Sequence, residues 1–431
     1  MTNKPGFYGW KLVAVLFSLD FINMGFPYYG GSVIVNGYMS HDIAMSGSRR
    51  GAGFTLVNLF VGLAAWVVAK SVVKYGLRAT FVTGSAVLCA GSLYLATYAS
   101  TSWDYLIAFG VVIGTGISFA TLVPASTAVS RWFRRYRGRA MGLALSASGF
   151  AGLAAPLLGK VLRAHGGNWR LGWYIVAGAV VFSALIALLL VRESPESLGQ
   201  LVDGLPEGDQ QQPSRTDSLV TKHDWSSSKA YATSAYWLIA IGSVTATFPF
   251  FLFVAHWTRR LTAVGISPSQ AEWALSLLTI GTLVGRWIGG WLMDLMNARV
   301  AFVTGLCLYF LGSYLAIIVQ PDSVSVAYLA ALLNGTAYGW AFSCVGTMTA
   351  HYYGPKAFPK LYGTMTLLTS VCASPAAAVG GKIADLYGGY TRAFELDCVL
   401  AAVGIIAIAF ATMPRPRTET NSSTQAAQMA G

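Results

Sequence analysis

Apolar residues along the chain gather into runs of about 20 residues or more, with short polar breaks between them. A helix rises 1.5 Å per residue, so a run of that length crosses the ~30 Å hydrocarbon layer of a bilayer. The pattern predicts helices over 9–36, 48–73, 77–99, 102–131, 139–163 and 169–192, then over 230–258, 267–296, 299–320, 323–353, 358–386 and 390–412. One break is long: residues 193–229 are rich in Ser, Asp, Gln and Pro and read as a solvated linker. The expected protein is an all-α membrane protein of twelve transmembrane helices. A six-helix bundle occupies 1–192, the linker 193–229, a second bundle 230–412 and a polar tail 413–431. The first run is too long for a signal-peptide core and no A-x-A site closes it, so no cleaved leader is expected.

The two sets of runs resemble each other. A shift of 221 places Gly114-Thr115 on Gly335-Thr336, Trp132 on Tyr353, Gly142 on Gly363 and Gly76 on Asn297. Near the end a shift of 222 places Gly159-Lys160-Val161 on Gly381-Lys382-Ile383, and Arg170 on Arg392. Two parallel repeats related by an axis along the membrane normal are a transporter architecture, with the solute held between them near the midplane. Small residues at four-residue spacing (Gly110, Gly114, Ser118; Ser148, Gly152, Pro156; Gly281, Gly285, Gly289) predict close helix contacts.

Composition supports the membrane reading. Of the 431 residues 55% are hydrophobic and 11% charged, against about 25% charged in soluble domains. The net charge of +12 could indicate nucleic acid, but its distribution indicates membrane topology instead. With the N-terminus inside, 19 of the 29 Lys and Arg fall on inner segments, from Lys4 through the Arg131–Arg139 cluster, Arg215 and Lys222 to Arg417. The positive-inside rule then puts both termini in the cytoplasm, and no nucleic-acid partner is expected. The Asn421-Ser422-Ser423 sequon falls on that cytoplasmic tail and is discounted. Cys89, Cys307, Cys344, Cys372 and Cys398 lie scattered in apolar runs, and the five histidines are dispersed, so neither a metal site nor a disulfide framework is expected. H-E-x-x-H and G-x-S-x-G are both absent, which argues against an intramembrane enzyme and leaves no catalytic residues to assign.

Two charges stand out in mid-run. Arg286 lies about ten residues, roughly 15 Å, from the inner end of its helix. A guanidinium there costs on the order of 3 kcal/mol unless it faces water, a partner or a ligand. Its planar fork matches a carboxylate with two parallel hydrogen bonds. Asp20, about twelve residues into the first helix, is the second; it could pair with Arg286, carry a coupling proton or cap a neighbouring helix. Tyr28, Phe119, Thr282 and Tyr338 are candidate pocket walls, and Thr282 shares the face of Arg286.

The segment Gly290-Trp-Leu-Met-Asp294 followed by Arg299 resembles the loop signature of the major facilitator superfamily. In the first-half copy Lys74, Gly76 and Arg78 fit, but Val73 stands where that signature has an acid. More specifically the chain resembles the monocarboxylate transporter family and its bacterial relatives. Phe7-Tyr8-Gly9-Trp10 is similar to that family's entry to the first helix. Trp132-Phe133 with Arg137-Gly138-Arg139-Ala140 and Gly142 is similar to its fifth-helix signature, the most specific of the matches. Gly167-Asn168-Trp169-Arg170, Gly354-Pro355 with Phe358, and Asp385-Leu-Tyr-Gly388-Gly-Tyr390 also agree.

The resemblance implies the major facilitator fold of two pseudo-symmetric bundles, with substrate carboxylate at Arg286 and a gating loop at Gly290, Asp294 and Arg299. Two positions depart from the animal members: Tyr28 follows Pro27 where they carry lysine, and Thr282 stands where they carry aspartate. Their proton relay therefore does not transfer whole. The expectation is proton-coupled symport of a small monocarboxylate such as lactate or pyruvate, by alternating access. Expected partners are the carboxylate, a proton and membrane lipid; no cofactor is expected beyond the coupling proton, and the chain is expected to act as a monomer in a bacterial inner membrane. Organic-anion exchange of the oxalate–formate type is the alternative, although a divalent substrate favours a second mid-span cation. Drug:proton antiport, suggested by Pro156-Leu-Leu-Gly159, is weakened by Val73. A non-transporting sensor is separable by whether flux is measurable.

Overall fold

The computed structural model describes residues 6–204, 220–221, 223 and 225–415. Among these, ten helical stretches are long and apolar enough to cross a membrane. Two of the ten are hairpins. Gly47–Thr97 breaks at Gly76 (φ 88°, ψ 176°), a backbone conformation that a Cβ disfavours. The hydroxyls of Ser71 and Thr80, nine positions apart, then come within 3.0 Å, where a straight helix would hold them about 13 Å apart. Val324–Tyr387 reverses in the same way at Gly354 (φ 74°, ψ 172°). Twelve spans result: α1 (Tyr8–Asp42), α2 (47–75), α3 (77–97), α4 (Ser102–Trp132), α5 (Arg137–Ala164) and α6 (Trp169–Leu190), then α7 (Ser234–Ala263), α8 (Pro268–Leu295), α9 (Ala298–Ile318), α10 (324–353), α11 (355–387) and α12 (Thr391–Phe410).

Some ends differ from the hydropathy reading. α1 runs on to Asp42 through two widened turns, Gly25–Gly30 and Val35–Met39. α7 begins at Ser234, because Ser227–Tyr231 forms a separate short helix. It continues past Arg259 and Arg260 to Ala263, with Arg260 donating to the Ile317 carbonyl at 3.2 Å. Charged residues end the apolar run without ending the helix, since backbone hydrogen bonding continues outside the hydrocarbon.

The internal repeat is visible in the contacts. Gly142 of α5 lies against the Arg286 carbonyl of α8, and Gly363 of α11 lies against the Ala65 carbonyl of α2. Subtracting 221 from 363 and 286 gives 142 and 65, so the two contacts are copies of each other. Gly149 against Leu283 and Gly62 against Ser370 form a second such pair. Each joins the first bundle to the second, and at Gly142, Gly363 and Gly62 a backbone atom or side chain occupies the Cβ position, so those three need a glycine.

Both bundles are closed off at the end that carries the basic loops. There the Glu193 carboxylate accepts from the amides of Leu77 and Arg78 at the start of α3 (2.8 and 2.9 Å) and pairs with Arg131 at 3.2 Å. Asp203 accepts from the amides of Arg134 and Arg135 in the α4–α5 turn. The far side of the linker docks on the other bundle, with the Thr221 amide on the His351 carbonyl at 2.8 Å. Lys4, Arg215, Lys222, Arg417 and the Asn421 sequon lie outside the described residues.

Candidate substrate site and gate

A cavity of about 650 Å³ lies between the bundles, lined by Asp20, Tyr28, Tyr29, Asn58, Thr121 and Ser148 from the first and by Phe250, Thr282, Arg286, Tyr338, Phe342 and Tyr362 from the second, among others. It extends to Val254, Ala255 and Ala377, toward the end away from the basic loops.

Backbone irregularities gather on its wall. The widened turn Gly25–Gly30 contains Pro27, which has no amide hydrogen to give, and it brings Tyr28 and Tyr29 to the cavity together. α4 breaks at Thr121 (φ −133°, ψ −109°), α7 contains Pro249, and α5 leaves regular geometry after Leu145. Non-helical backbone at membrane depth is tolerated where it lines a water-filled cavity.

The break in α5 explains how Arg286 is held. In a regular helix the Leu145 carbonyl would accept from the amide of Gly149, but that amide turns to Ser146 at 2.9 Å. The freed carbonyl and the Ser148 hydroxyl both accept from Nη1 of Arg286. The guanidinium also lies over the Phe342 ring, 4.7 Å from its centroid. Its Nε is buried without a hydrogen-bond partner. A buried donor left unpaired is uncommon and calls for an explanation.

Asp20, buried on α1, approaches the same turn of α5, with the Ser148 amide facing its carboxyl. Among the described residues no ion pair within 4.0 Å joins it to Arg286. The two charges share Ser148 without neutralising each other directly. Arg286 is the single cation and Asp20 the single acid among the lining residues.

Tyr28 accepts from Asn58 at 3.4 Å and meets Phe54 edge-on. Tyr338 stacks on Phe250 with ring centroids 3.7 Å apart. The Thr282 hydroxyl donates to the Thr279 carbonyl at 2.7 Å. All three line the cavity. Phe119 does not: it packs against the apolar core, while Ile117 and Thr121 take the cavity side of α4. Positions two apart on a helix point about 200° away from each other, so that expectation is corrected.

Two of the three loop-signature residues, Gly290 and Asp294, meet the first bundle at the basic end. Asp294, at the end of α8, accepts from the amides of Gly138 and Arg139 at 2.7 and 2.9 Å and lies 3.6 Å from Nε of Arg139. Those amides belong to the first turn of α5, where the helix dipole favours an anion. Gly290 and Gly138 meet backbone to backbone, which leaves no room for a Cβ on either. Arg299 is elsewhere: it donates to the Ala409 carbonyl at 3.3 Å and takes no part in this contact.

The sequence profile of the Major Facilitator Superfamily matches residues 15–266 and 260–429, nearly the whole chain. The chain belongs to the major facilitator superfamily. It is a secondary transporter by that membership, and its curated relatives there are transporters, not enzymes. Monocarboxylate transporter 2 of Meriones unguiculatus is 24% identical over 90% of this chain and 81% of the relative. Monocarboxylate transporter 13 of Bos taurus is 28% identical over 77% of this chain and 74% of the relative. Among solved structures, the fucose:proton symporter of E. coli superposes with a TM-score of 0.70 at 14% identity, covering 93% of this chain and 98% of that one. A proton:xylose symporter superposes with a TM-score of 0.67. At such identities the structural likeness establishes the fold.

One buried charge in this superfamily member escapes the hydropathy reading. Asp397 of α12 is fully buried, a third intramembrane charge beside Arg286 and Asp20. The signal was present, since it directly precedes the apolar stretch from Cys398 to Phe410. Arg392 and Glu395 just before it make that end read as a charged boundary.

Proposed function

We propose that this transporter carries a small monocarboxylate together with a proton, the carboxylate binding Arg286 in the central cavity. The observation that carries this reading is the arginine itself: a mid-span guanidinium with a single acid near it, no direct ion pair to that acid, and a buried Nε without a partner. Nη1 is fixed on Leu145 and Ser148, so the Nε side of the fork is the one left for a carboxylate. A single cation suits one carboxylate better than two. Phe342, Phe250 and Tyr338 supply the apolar wall that the rest of such a molecule needs.

Asp20 is the proposed proton carrier for this site. A bound carboxylate neutralises Arg286 while a proton neutralises Asp20, so the loaded cavity carries no net charge and the bundles can close over it. The cycle is alternating access: the basic end, shut here by Asp294 and the glycine contacts, opens as the opposite end closes. The chain is read as lying in a bacterial inner membrane with both termini cytoplasmic, on the distribution of its Lys and Arg. It needs no cofactor, and the proton gradient supplies the drive.

The test is uptake of labelled lactate into proteoliposomes, with and without an inward proton gradient, for the natural protein and Arg286→Ala. Gradient-stimulated uptake that disappears in the variant is the expected result. Rapid exchange against internal acid with no response to the gradient would replace symport by anion exchange. Uptake undiminished in Arg286→Ala would remove the arginine from the site.

A further inference from the structure

Every threonine on the cavity wall spends its hydroxyl hydrogen on its own helix. In the first bundle Thr55 donates to the Gly51 carbonyl at 3.2 Å, and Thr121 to that of Ile117 at 2.7 Å. In the second, Thr247, Thr279, Thr366 and Thr369 donate to the carbonyls of Ser243, Leu275, Tyr362 and Met365 at 2.8–3.2 Å. Thr282 donates to the Thr279 carbonyl at 2.7 Å. A hydroxyl has one hydrogen and two lone pairs, so each of these has only lone pairs left to offer a ligand. Such back-bonding is ordinary for threonine in a helix. It has a chemical consequence here because these residues line a cavity rather than a seam between helices.

Thr282 is the threonine placed to read a bound acid. It lies four residues before Arg286 on the same face of α8, with about 5–6 Å between the Cβ atoms of such neighbours. Side chains on a helix lean toward its N-terminal end, so Arg286 leans toward Thr282. A carboxylate on Arg286 then brings its 2-position, the carbon next to the carboxyl, beside the Thr282 oxygen. A 2-hydroxyl can donate to that oxygen. A 2-oxo group instead sets lone pair against lone pair, and an unsubstituted carbon leaves the acceptor unmet. The lining phenols, and Asp20 when protonated, can donate to an oxo or a hydroxyl oxygen alike, so they do not make this distinction.

We propose that the cavity selects a 2-hydroxy monocarboxylate over its 2-oxo and unsubstituted analogues, and that Thr282 is the acceptor that determines this specificity. The proposal rests on the reading of Arg286 as the carboxylate anchor and narrows the substrate class within it.

The test is inhibition of labelled-lactate exchange in proteoliposomes by unlabelled lactate, pyruvate and propionate. These acids share one carboxylate and a three-carbon chain, and all are ionised at pH 7. Lactate should inhibit at a concentration about two- to tenfold lower than either analogue, the effect of one net hydrogen bond. Thr282→Val keeps the branched shape without the oxygen and should bring the three acids close to equality. Thr282→Ser keeps the hydroxyl and should preserve the order, which separates loss of the acceptor from damage to the fold. Pyruvate or propionate inhibiting as well as lactate in the natural protein would overturn the proposal while leaving the arginine reading intact. An order unchanged in Thr282→Val would do the same. Absence of saturable exchange with any of the acids, or exchange undiminished in Arg286→Ala, would overturn the arginine reading and this proposal with it.

Discussion

At the scale of single residues, the cavity keeps Arg286 and Asp20 out of a direct ion pair, so the two tasks proposed for them stay separate. Arg286 is tethered by one nitrogen to a carbonyl that the α5 break has released, and Asp20 meets the same turn from α1. Each can then change charge state or partner without unmaking the other. Asp20→Asn retains the shape and the hydrogen-bonding oxygen while losing the titration. It is expected to keep exchange of labelled against unlabelled carboxylate and to lose accumulation driven by a proton gradient. Equal accumulation in Asp20→Asn and the parent, measured at the same imposed gradient, would assign the proton elsewhere.

At the scale of elements, α8 and α10 approach so closely that their glycines determine where Arg286 sits. A Cβ on Gly339 would meet the Thr282 carbonyl and come within 3.0 Å of the Arg286 amide, and one on Gly285 would meet the Thr336 carbonyl. Gly339→Ala must therefore push the helices apart. Overpacking of this kind costs about 1–3 kcal/mol, and here it also displaces the guanidinium. The variant should unfold at lower temperature in detergent and bind carboxylate more weakly. Gly178→Ala, with nothing within 4 Å of its Cβ, is the control and should be neutral or slightly stabilised, by roughly 0.5–1 kcal/mol. Much of this scale is legible in the sequence. Helices are visible because lipid demands long apolar runs, and the hairpin at Gly76 because a left-handed residue favours glycine. Arg286 and Asp20 are visible because charge is rare at membrane depth. Helix facing is not, which is why Phe119 was placed on the cavity wall when its neighbours Ile117 and Thr121 hold that side. The α5 break at Ser146–Gly149 gives little warning either. Its Ser-Ala-Ser-Gly run reads as a small-residue packing stripe, and only the redirected Gly149 amide shows that a carbonyl has been freed.

At the scale of the whole molecule, the two bundles are copies in backbone but not in how they are tied together. Gly142 on Arg286 and Gly363 on Ala65 are equivalent contacts, yet the acid that seats on a helix start exists on one side only. Asp294 caps α5, while Val73 occupies the equivalent place in the first bundle and is exposed. Among the described residues, Asp294 on the start of α5 is the charged contact that joins the bundles at the closed basic end, and in the proposed cycle it breaks whenever the cavity opens that way. An anion at a helix N-terminus contributes up to ~2 kcal/mol when partly buried, and about 1.4 kcal/mol changes a two-state population tenfold. Asp294→Asn keeps an oxygen for one of the two amides and loses the charge, so it should shift the resting population toward the state open at the basic end by up to about tenfold. Spin labels at exposed Tyr75 and Leu295 would report this as a longer inter-bundle distance gaining weight in a pulsed dipolar measurement. Val73→Asp makes the opposite change, giving the first bundle an acid where the second has one. It should sharpen the short-distance population and slow the cycle, because every opening would then break two such contacts. An Asp294→Asn distribution identical to the parent's would mean that the glycine seams, not the carboxylate, hold this end shut.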